Sequence, residues 1–220
     1  MLALLSAPLS AESSRLQKLT ERGALLGWEA VGRVAIAGKG YCTGVLIAPD
    51  LVLTAAHCVY DKPSGARIAE DKLTFQAGWR DGEAIAVRGV AKAAAHPRYH
   101  PTAGKGIDNL RSDAALLKLN TAIPAATAAP FVLHGPAKTG QSVSVVSYGR
   151  GRYKALSWQR KCGLLGRQDG IMAFDCDVTF GSSGAPVFVR EGQRARILSL
   201  VSRGSEADGK TISFGMELPE

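Results

Sequence analysis

Three short segments of the sequence carry residues suited to nucleophilic catalysis. His57 follows an apolar run on a tight Ala-Ala turn, and a disulfide at Cys58 would fix its imidazole in space as a base. Asp113 precedes the apolar run 114–119, and a carboxylate at the mouth of a buried strand needs a partner such as a histidine N–H. Ser183 lies in Gly-Ser-Ser-Gly-Ala-Pro, where small residues allow a sharp turn whose inward N–H groups can hold an oxyanion. Together these residue types predict attack by a serine hydroxyl.

Each of these residues also has an interpretation without chemistry. His57 is then a packed turn histidine and Asp113 a solvated cap, with Asp108 as the reserve candidate for the carboxylate. His96 and His100 are four residues apart, but the proline between them spoils the helical face that a metal pair needs, and no third ligand is evident. We therefore predict no metal and no cofactor.

The four cysteines fall into two local pairs, Cys42 with Cys58 and Cys162 with Cys176. Neither pair has the close spacing of zinc ligands, so the spacing favours two disulfides over a metal site, with free thiols as the alternative. Each bridge closes a loop of about 15 residues, which is worth about 3 kcal/mol in the chain-entropy model. Disulfides indicate an oxidising compartment, so we expect a secreted or periplasmic protein.

The composition of the 220 residues favours an all-β protein. Hydrophobic residues make up 46% and charged residues 21%, which excludes a disordered chain and a bundle of membrane helices. The 25 glycines and 10 prolines are spread through the chain, and both residues punctuate regular structure. Many short strands joined by tight turns are therefore expected rather than long helices.

Short apolar or alternating runs bounded by Gly, Pro and Asp predict two groups of strands. The first group is predicted at 31–37, 41–47, 51–54, 73–77, 85–94 and 114–119, and the second at 142–148, 171–176, 186–189, 197–201 and 212–216. Closing each group into an antiparallel barrel removes the exposed strand edges. The chain then divides into a lead-in (1–27), a first barrel (28–120), a connector (121–130) and a second barrel (131–220).

The amino-terminal residues are typical of an exported protein. Residues 1–11 have the apolar run and small residues of a signal peptide, although no Lys or Arg precedes the run. The run is too short to span a bilayer, so no transmembrane anchor is expected. Residues 13–26 are predicted to be weakly helical, because two leucines are three apart and Ser13 or Ser14 can cap the helix.

Basic residues exceed acidic ones, giving a net charge of +8. The excess is concentrated between Asp113 and Asp169, where no acidic residue occurs. Weak binding to polyanions is one interpretation of this segment, and a solvated face is the other. The chain has no glycine-lysine phosphate loop and no zinc-knuckle spacing, so no specific nucleic acid is expected.

The sequences of these segments and their order along the chain resemble the chymotrypsin-like (trypsin-fold) serine peptidases, from about Trp28 to Met216. The motifs that carry the likeness are Cys42-Thr43-Gly44, T-A-A-H-C at 54–58, His96-Pro97-Arg98-Tyr99, D-A-A-L-L-K-L from Asp113, and G-S-S-G-A-P from Gly181. The stretch W-E-A-V-G-R-V from Trp28, the small side chains around Ser183, and Cys176-Asp177 are most similar to the bacterial glutamyl-endopeptidase-like branch. The resemblance implies two antiparallel six-stranded Greek-key β-barrels with the active site between them.

The resemblance also implies a role for each candidate residue. Ser183 is the nucleophile rather than Ser182, because the family's nucleophile is followed directly by glycine. His57 acts as general base and then acid, while Asp113 orients it and stabilises its cationic form. The backbone N–H groups of Gly181 and Ser183 form the oxyanion hole. Residues implied to line the substrate are Asp177, Val201, Ser202, Arg203 and Gly204, of which the serine also supports the aspartate.

Several positions depart from the family pattern. Ser182 stands where animal digestive members carry an aspartate that captures a newly freed amino terminus, so that switch is not expected. Asp177 matches the position that selects Arg or Lys in the trypsin branch, although the bacterial branch often has Cys-Asp there without that preference. Val201 replaces the histidine of glutamate-selective members, which disfavours glutamate specificity. Arg203 and the basic segment 150–167, in loops near the cleft, predict a positive rim that favours acidic residues beyond the scissile bond.

The leading functional hypothesis is a secreted serine endopeptidase that cleaves proteins or peptides through an acyl-enzyme, as a monomer without a cofactor. The alternative is a catalytically silent protease-fold protein that binds anionic envelope or polysaccharide surfaces. The presence of all three triad residues argues against the alternative, because a pure binding protein has no chemical need for them. An esterase on another fold would need a G-x-S-x-G elbow and a different triad order.

Overall fold

A computed structural model describes residues 14–104, 106–135, 138–192, 194–207 and 209–219. Its strands are β1 (Leu16–Lys18), β2 (Val31–Ile36), β3 (Gly40–Ala48), β4 (Leu51–Thr54), β5 (Leu73–Ala77), β6 (Ala86–Ala95), β7 (Ala115–Leu119), β8 (Ser142–Ser147), β9 (Ser157–Gln168), β10 (Ile171–Phe174), β11 (Pro186–Glu191), β12 (Arg194–Ala207) and β13 (Lys210–Met216). Short helices of the described residues are the 3-10 turns Arg22–Leu25, Ala56–Val59 and Glu70–Lys72, and the α-helix α1 (Ile107–Arg111). The signal-like stretch 1–11 lies outside the described residues.

The first barrel is closed and antiparallel, in the strand order β2-β3-β4-β7-β6-β5. Alternation along its strands fills the interior, since Ala115, Leu117 and Leu119 of β7 are buried while Leu116 and Lys118 point outward. Burying each large apolar side chain is worth about 1.5–3 kcal/mol. All six strands predicted for this half are confirmed to within two residues.

The second barrel closes in the order β9-β10-β13-β12-β11-β8, with β8 pairing back to β9. The prediction of two six-stranded antiparallel barrels is thereby confirmed. β1 adds a seventh strand outside the closed ring, pairing with β9 in the register Leu16 opposite Gln159. No helix among the described residues is both long enough and apolar enough to cross a membrane.

Two sequence expectations are wrong. The predicted helix at 13–26 is instead the strand β1 and a 3-10 turn, because the free edge of β9 accepts this stretch as a partner. Ser14 does not cap a helix; its N–H and hydroxyl both donate to the carbonyl of Lys161. The basic segment 150–167 is a loop only at its start, since from Ser157 onward it forms β9.

A cluster of buried apolar residues joins the two barrels. Trp28 lies at its centre, with ring centroids 5.2 Å from Phe188 and 5.0 Å from Trp158. First-barrel residues Val45 and Leu53 belong to the same cluster. The cluster fixes the two barrels against each other.

Both predicted disulfides are present. Cys42–Cys58 ties β3 to the 3-10 turn Ala56–Val59, and Cys162–Cys176 ties β9 to the segment after β10. No free cysteine remains in the described part of the chain. The sequence separations of 16 and 14 residues agree with the loops of about 15 residues expected from the cysteine spacing.

Candidate active site

His57 is held in place by the chain segments before and after it. Strand β4 ends at Thr54, and the chain then turns into the 3-10 segment in which Cys58 donates its N–H to the carbonyl of Ala55 at 3.1 Å. The Cys42–Cys58 bridge anchors the next residue to β3. The imidazole is thus positioned by a strand end, a tight turn and a covalent bond.

Asp113 is the buried partner of His57. It lies between α1 and β7 and is only 3% exposed. Its Oδ1 accepts the backbone N–H of His57 at 2.8 Å, and its Oδ2 lies 2.8 Å from the imidazole Nδ1. The hydroxyl of Ser202, on β12 of the second barrel, donates to the same Oδ2. Three donors therefore satisfy a carboxylate whose burial would otherwise be costly.

The contacts of Asp113 determine the tautomer of His57. An ionised carboxylate only accepts hydrogen bonds, so Nδ1 carries the proton that faces Oδ2. The Nε2 atom of neutral His57 then keeps its lone pair and can accept a proton from a hydroxyl. Asp108, the reserve candidate, is not part of this arrangement: its side chain is 97% exposed and lies 3.3 Å from Arg111.

The loop that carries Ser183 is fixed by hydrogen bonds to both barrels. Thr43 of β3 donates its N–H to the carbonyl of Ser183 and its hydroxyl to the carbonyl of Gly181, each at 2.8 Å. Gly184 donates its N–H to the carbonyl of Val201 on β12 at 2.7 Å. The nucleophile candidate is therefore carried by one barrel and aligned by the other.

The glycine after Ser183 makes the contact between loop and first barrel possible. Gly184 has a φ of +76°, and an added Cβ would lie 2.3 Å from the hydroxyl of Thr54 and 2.4 Å from the carbonyl of Thr43. Because β4 ends at Thr54 and leads directly to His57, this close approach brings the serine loop against the histidine turn. Glycine is required there by both backbone conformation and space.

The backbone N–H groups of Gly181 and Ser183 form the candidate oxyanion hole. Among the described residues, neither donates to a protein acceptor, whereas the intervening Ser182 donates its N–H to the carbonyl of Thr179 at 2.9 Å. The carbonyl of Phe180 accepts the N–H of Arg150 at 2.8 Å. Since C=O and N–H of a trans peptide point in opposite directions, the Gly181 N–H faces away from Arg150.

Tyr60 and Tyr99 pack against each other, and Tyr99 lies close enough to Asp113 to be affected by its charge. The rings of Tyr60 and Tyr99 have centroids 5.6 Å apart. Burial, then the negative charge of Asp113, then Tyr60 raise the pKa of Tyr99 to about 12. This phenol stays neutral at working pH and does not compete with His57 as a base.

The predicted substrate-lining residues lie on β12 and beside the serine loop. Val201 is buried and donates its N–H to the carbonyl of Ala185 at 2.8 Å. Gly204 leaves no room for a side chain, because an added Cβ would lie 2.9 Å from Val178. Arg203 lies over the ring of Phe214, with its guanidinium carbon 5.8 Å from the centroid.

Asp177 is exposed at the end of the segment that leads to the serine loop. Its N–H donates to the side-chain carbonyl of Gln159 at 2.7 Å. Its negative charge also acts on Arg152, a member of the basic segment 150–167. Arg152 lies next to the serine loop, with its Nη2 3.3 Å from the hydroxyl of Ser182.

The cluster of Cys42, His57 and Cys58 does not form a metal site. Cys42, His57 and Cys58 offer ligand atoms within 4.8 Å of one another. The two sulfurs are joined in a disulfide, so neither is available as a thiolate ligand.

The geometry agrees with the comparison to known proteins. Residues 42–194, well over half of the chain, match the family model described as the trypsin-like peptidase domain. The chain belongs to the trypsin-like peptidase family. The family membership expected from the sequence motifs is thereby confirmed.

Curated relatives of this trypsin-like peptidase include animal and bacterial proteins. Human kallikrein-10 is 33% identical over 84 residues, covering 38% of this chain and 28% of the relative. Glutamyl endopeptidase of Bacillus licheniformis is 26% identical over 156 residues, covering 70% of this chain and 47% of the relative. The chain thus spans less than half the length of the curated relatives that it matches.

Among solved structures, this trypsin-like peptidase is similar to a Glu endopeptidase. The TM-score is 0.76 at 20% identity, covering 94% of this chain and 91% of the other. At that identity the likeness shows the fold alone.

Sequence reasoning missed the residues that align the site. Thr43 stood in the motif that carries the family likeness, but nothing in the sequence assigned it a contact with the serine loop. Tyr41 was not singled out, although an added Cβ at Gly181 would lie 2.5 Å from its ring. Both residues are on β3, and their spacing of two places them on one side of that strand.

Proposed function

We propose that this chain is a serine endopeptidase in which Ser183, His57 and Asp113 act as a catalytic triad. The observation that carries the proposal is the pair of hydrogen bonds between Asp113 and His57. Oδ1 holds the histidine backbone and Oδ2 lies 2.8 Å from Nδ1, which leaves Nε2 as the proton acceptor. In a hydrolase of this family, such a His–Asp pair activates a serine hydroxyl as a nucleophile.

In the proposed reaction, the Ser183 hydroxyl oxygen attacks the carbonyl carbon of the substrate while His57 Nε2 takes its proton. The N–H groups of Gly181 and Ser183 bind the oxyanion of the tetrahedral intermediate. The C–N bond then breaks as imidazolium returns the proton to the leaving amine, and the acyl group remains on Ser183. Water attacks the acyl-enzyme with His57 again as base, which releases the acid and restores the hydroxyl.

A fluorophosphonate probe is expected to label the purified protein at Ser183. Attack by the serine oxygen on phosphorus expels fluoride, and the reaction needs the base and the oxyanion hole as well as the hydroxyl. Mass spectrometry of the digested protein locates the adduct.

The matched control is Ser183→Ala, which leaves the neighbouring Ser182 in place and is expected to abolish labelling. Absence of labelling in the wild-type protein would contradict the proposal. That outcome would favour a catalytically silent protease-fold protein with an affinity for anionic surfaces.

We further propose that the enzyme is exported. Disulfide bonds persist in oxidising compartments, and the structure holds two of them. The signal-like residues 1–11 point the same way. The proposed site of action is therefore outside the cytoplasm, in the medium or the periplasm.

The charge around Gly181 supports a preference for acidic substrates. On one side, the guanidinium of Arg150 lies 4.1 Å from the ring centroid of Phe180, which is 65% exposed and directly precedes Gly181. On the other side, Arg33 lies 4.4 Å from the ring centroid of Tyr41. Neither arginine forms an ion pair with a carboxylate among the described residues, so both leave positive charge near the cleft.

Peptides with acidic residues flanking the cleaved bond are expected to be cleaved about two- to fivefold faster at low salt than neutral ones. That factor corresponds to the weak interaction of exposed charges. The preference is expected to vanish at about 1 M salt, where the Debye length falls to about 3 Å. A peptide library digested at both ionic strengths gives the ratio of kcat/KM values.

Arg150→Gln is expected to weaken the acidic preference, and Arg190→Gln, an equal change of charge on the exposed part of β11, is the control. An identical sequence preference at low and high salt would contradict the charged-rim proposal without affecting the triad.

A further inference from the structure

The serine next to the nucleophile lies in a buried polar network. Ser182 is fully buried, and its hydroxyl lies 2.9 Å from the carbonyl of Tyr148, to which it donates. The same oxygen accepts the N–H of Thr179 at 3.3 Å and a guanidinium N–H of Arg152 at 3.3 Å. One hydroxyl thus connects the serine loop to the turn that follows β8.

Arg152 is fastened beneath this loop by contacts of its own. Its Nη1 donates to the carbonyl and to the hydroxyl of Ser147, each at 3.1 Å, while Nη2 reaches Ser182. The guanidinium packs against the backbone at Gly149, where an added Cβ would lie 2.7 Å from the Arg152 guanidinium carbon. The side chain is therefore built into the turn rather than resting on the surface.

The guanidinium carries a positive charge close to the serine loop. Arg152 forms no ion pair with a carboxylate among the described residues. Burial lowers the pKa of Arg152, with Asp177 and Tyr41 acting in the opposite direction. An arginine remains charged under these conditions, so a partly desolvated cation faces Ser182.

We propose that Arg152 is a positioning residue that holds Ser182 so that the N–H groups of Gly181 and Ser183 face the oxyanion. The proposal rests on the proposed serine endopeptidase function and deepens it. Ser182 lies between the two donors in sequence: one of its peptide units carries the Ser183 N–H, and the other begins at the Gly181 carbonyl, so a displaced Ser182 disturbs the backbone of both donor residues. The hydrogen bond from Arg152 to the Ser182 hydroxyl keeps the oxyanion hole formed before substrate binds. Such preorganised donors are what electrostatic catalysis requires.

The charge of Arg152 adds to this effect. Negative charge appears on the substrate oxygen only during the reaction, and a partly buried cation behind the loop favours it at that stage. Because Ser182 is neutral and its cationic partner is an internal side chain, this loop is held without a newly released amino terminus. Processing of the amino terminus is then not needed to form the hole.

Arg152→Met is expected to lower kcat by about ten- to a hundredfold with KM unchanged. Removing a direct oxyanion donor costs about a hundred- to a thousandfold, and a residue acting through Ser182 costs less. Affinity for a peptide boronate, which mimics the transition state, is expected to fall by the same factor as kcat. Arg190→Met is the control for loss of an arginine.

A second variant separates positioning from general stability. In Arg152→Ala, guanidinium ion is expected to restore part of kcat at concentrations well below those that unfold the protein. The ion can occupy the space that the arginine side chain leaves. Ser182→Ala, which keeps the arginine, is expected to lower kcat in the same direction. It remains informative if the arginine variants fail to fold.

The proposal is overturned if folded Arg152→Met retains the wild-type kcat and boronate affinity, or if Ser182→Ala has no effect on kcat. A loss confined to KM, or a loss of kcat that guanidinium ion does not restore at all, likewise contradicts it. Wild-type labelling by the fluorophosphonate probe is measured alongside. Failure of that labelling removes the proposed function itself, which distinguishes the two results.

Discussion

Ser183→Ala is expected to lower kcat for peptide hydrolysis by about a millionfold, and adding His57→Ala to it is expected to cause little further loss. The two residues serve one proton transfer: without the hydroxyl, the base at Nε2 has no proton to accept, and without the base the hydroxyl is a poor nucleophile. The losses are therefore far from additive. What remains comes from substrate binding and from the N–H groups of Gly181 and Ser183.

The measurement is kcat for one peptide substrate with the wild type, the two single variants and the double variant. Ser142→Ala, at an exposed position on β8, is the control for loss of a serine hydroxyl. Unfolding midpoints close to that of the wild type exclude a loss caused by unfolding. Full activity in Ser183→Ala would overturn the assignment of the nucleophile, and additive losses would overturn the idea of a shared proton transfer.

The first barrel was predictable because its strands alternate. In β5, Leu73, Phe75 and Ala77 are buried while Thr74 and Gln76 are half-buried, which is the period-two pattern of a strand with one face in the core. Asp and Gly residues mark the ends of such runs. Local pattern and tertiary packing agree there, so the sequence alone is enough.

Strand β9 could not be predicted for the opposite reason. Its sequence places Arg160 and Lys161 in the exposed middle of the strand and ends in three mostly polar residues, so no apolar alternation stands out. It is a strand because three strands pair with it: β1, β8 and β10, of which the pairing with β8 closes the barrel. The strand β1 was missed with it, since three residues form a strand only where such an edge exists.

Some residues of the candidate site could likewise be found from the sequence, and others could not. His57, Asp113 and Ser183 stand in local sequence motifs, which is why the sequence alone could propose a role for each of them. The residues that align them act across the fold, as when Thr43 bonds Tyr148 over a separation of 105 residues. Such contacts leave no local signal, and the same holds for Arg152 and Ser182, which are 30 residues apart.

Asp113→Asn is expected to lower kcat by about ten-thousandfold while leaving the fold intact. Asparagine has almost the same shape, so its carbonyl can still accept the backbone N–H of His57. Its NH₂ group then faces Nδ1, which must become an acceptor, and the imidazole proton moves to Nε2. In that tautomer Nε2 cannot take the proton of Ser183, and no carboxylate stabilises the imidazolium.

Asp108→Asn provides a matched control, because it makes the same substitution five residues away at a side chain that is 97% exposed. It is expected to leave kcat unchanged. Ser202→Ala removes one of the three donors to Asp113 and is expected to cause an intermediate loss. Equal effects in Asp113→Asn and Asp108→Asn would show that charge alone matters, and an active Asp113→Asn would show that Nε2 is deprotonated by some other means. The ordering Asp113→Asn, Ser202→Ala, Asp108→Asn from largest to smallest loss follows only if Oδ2 orients the histidine.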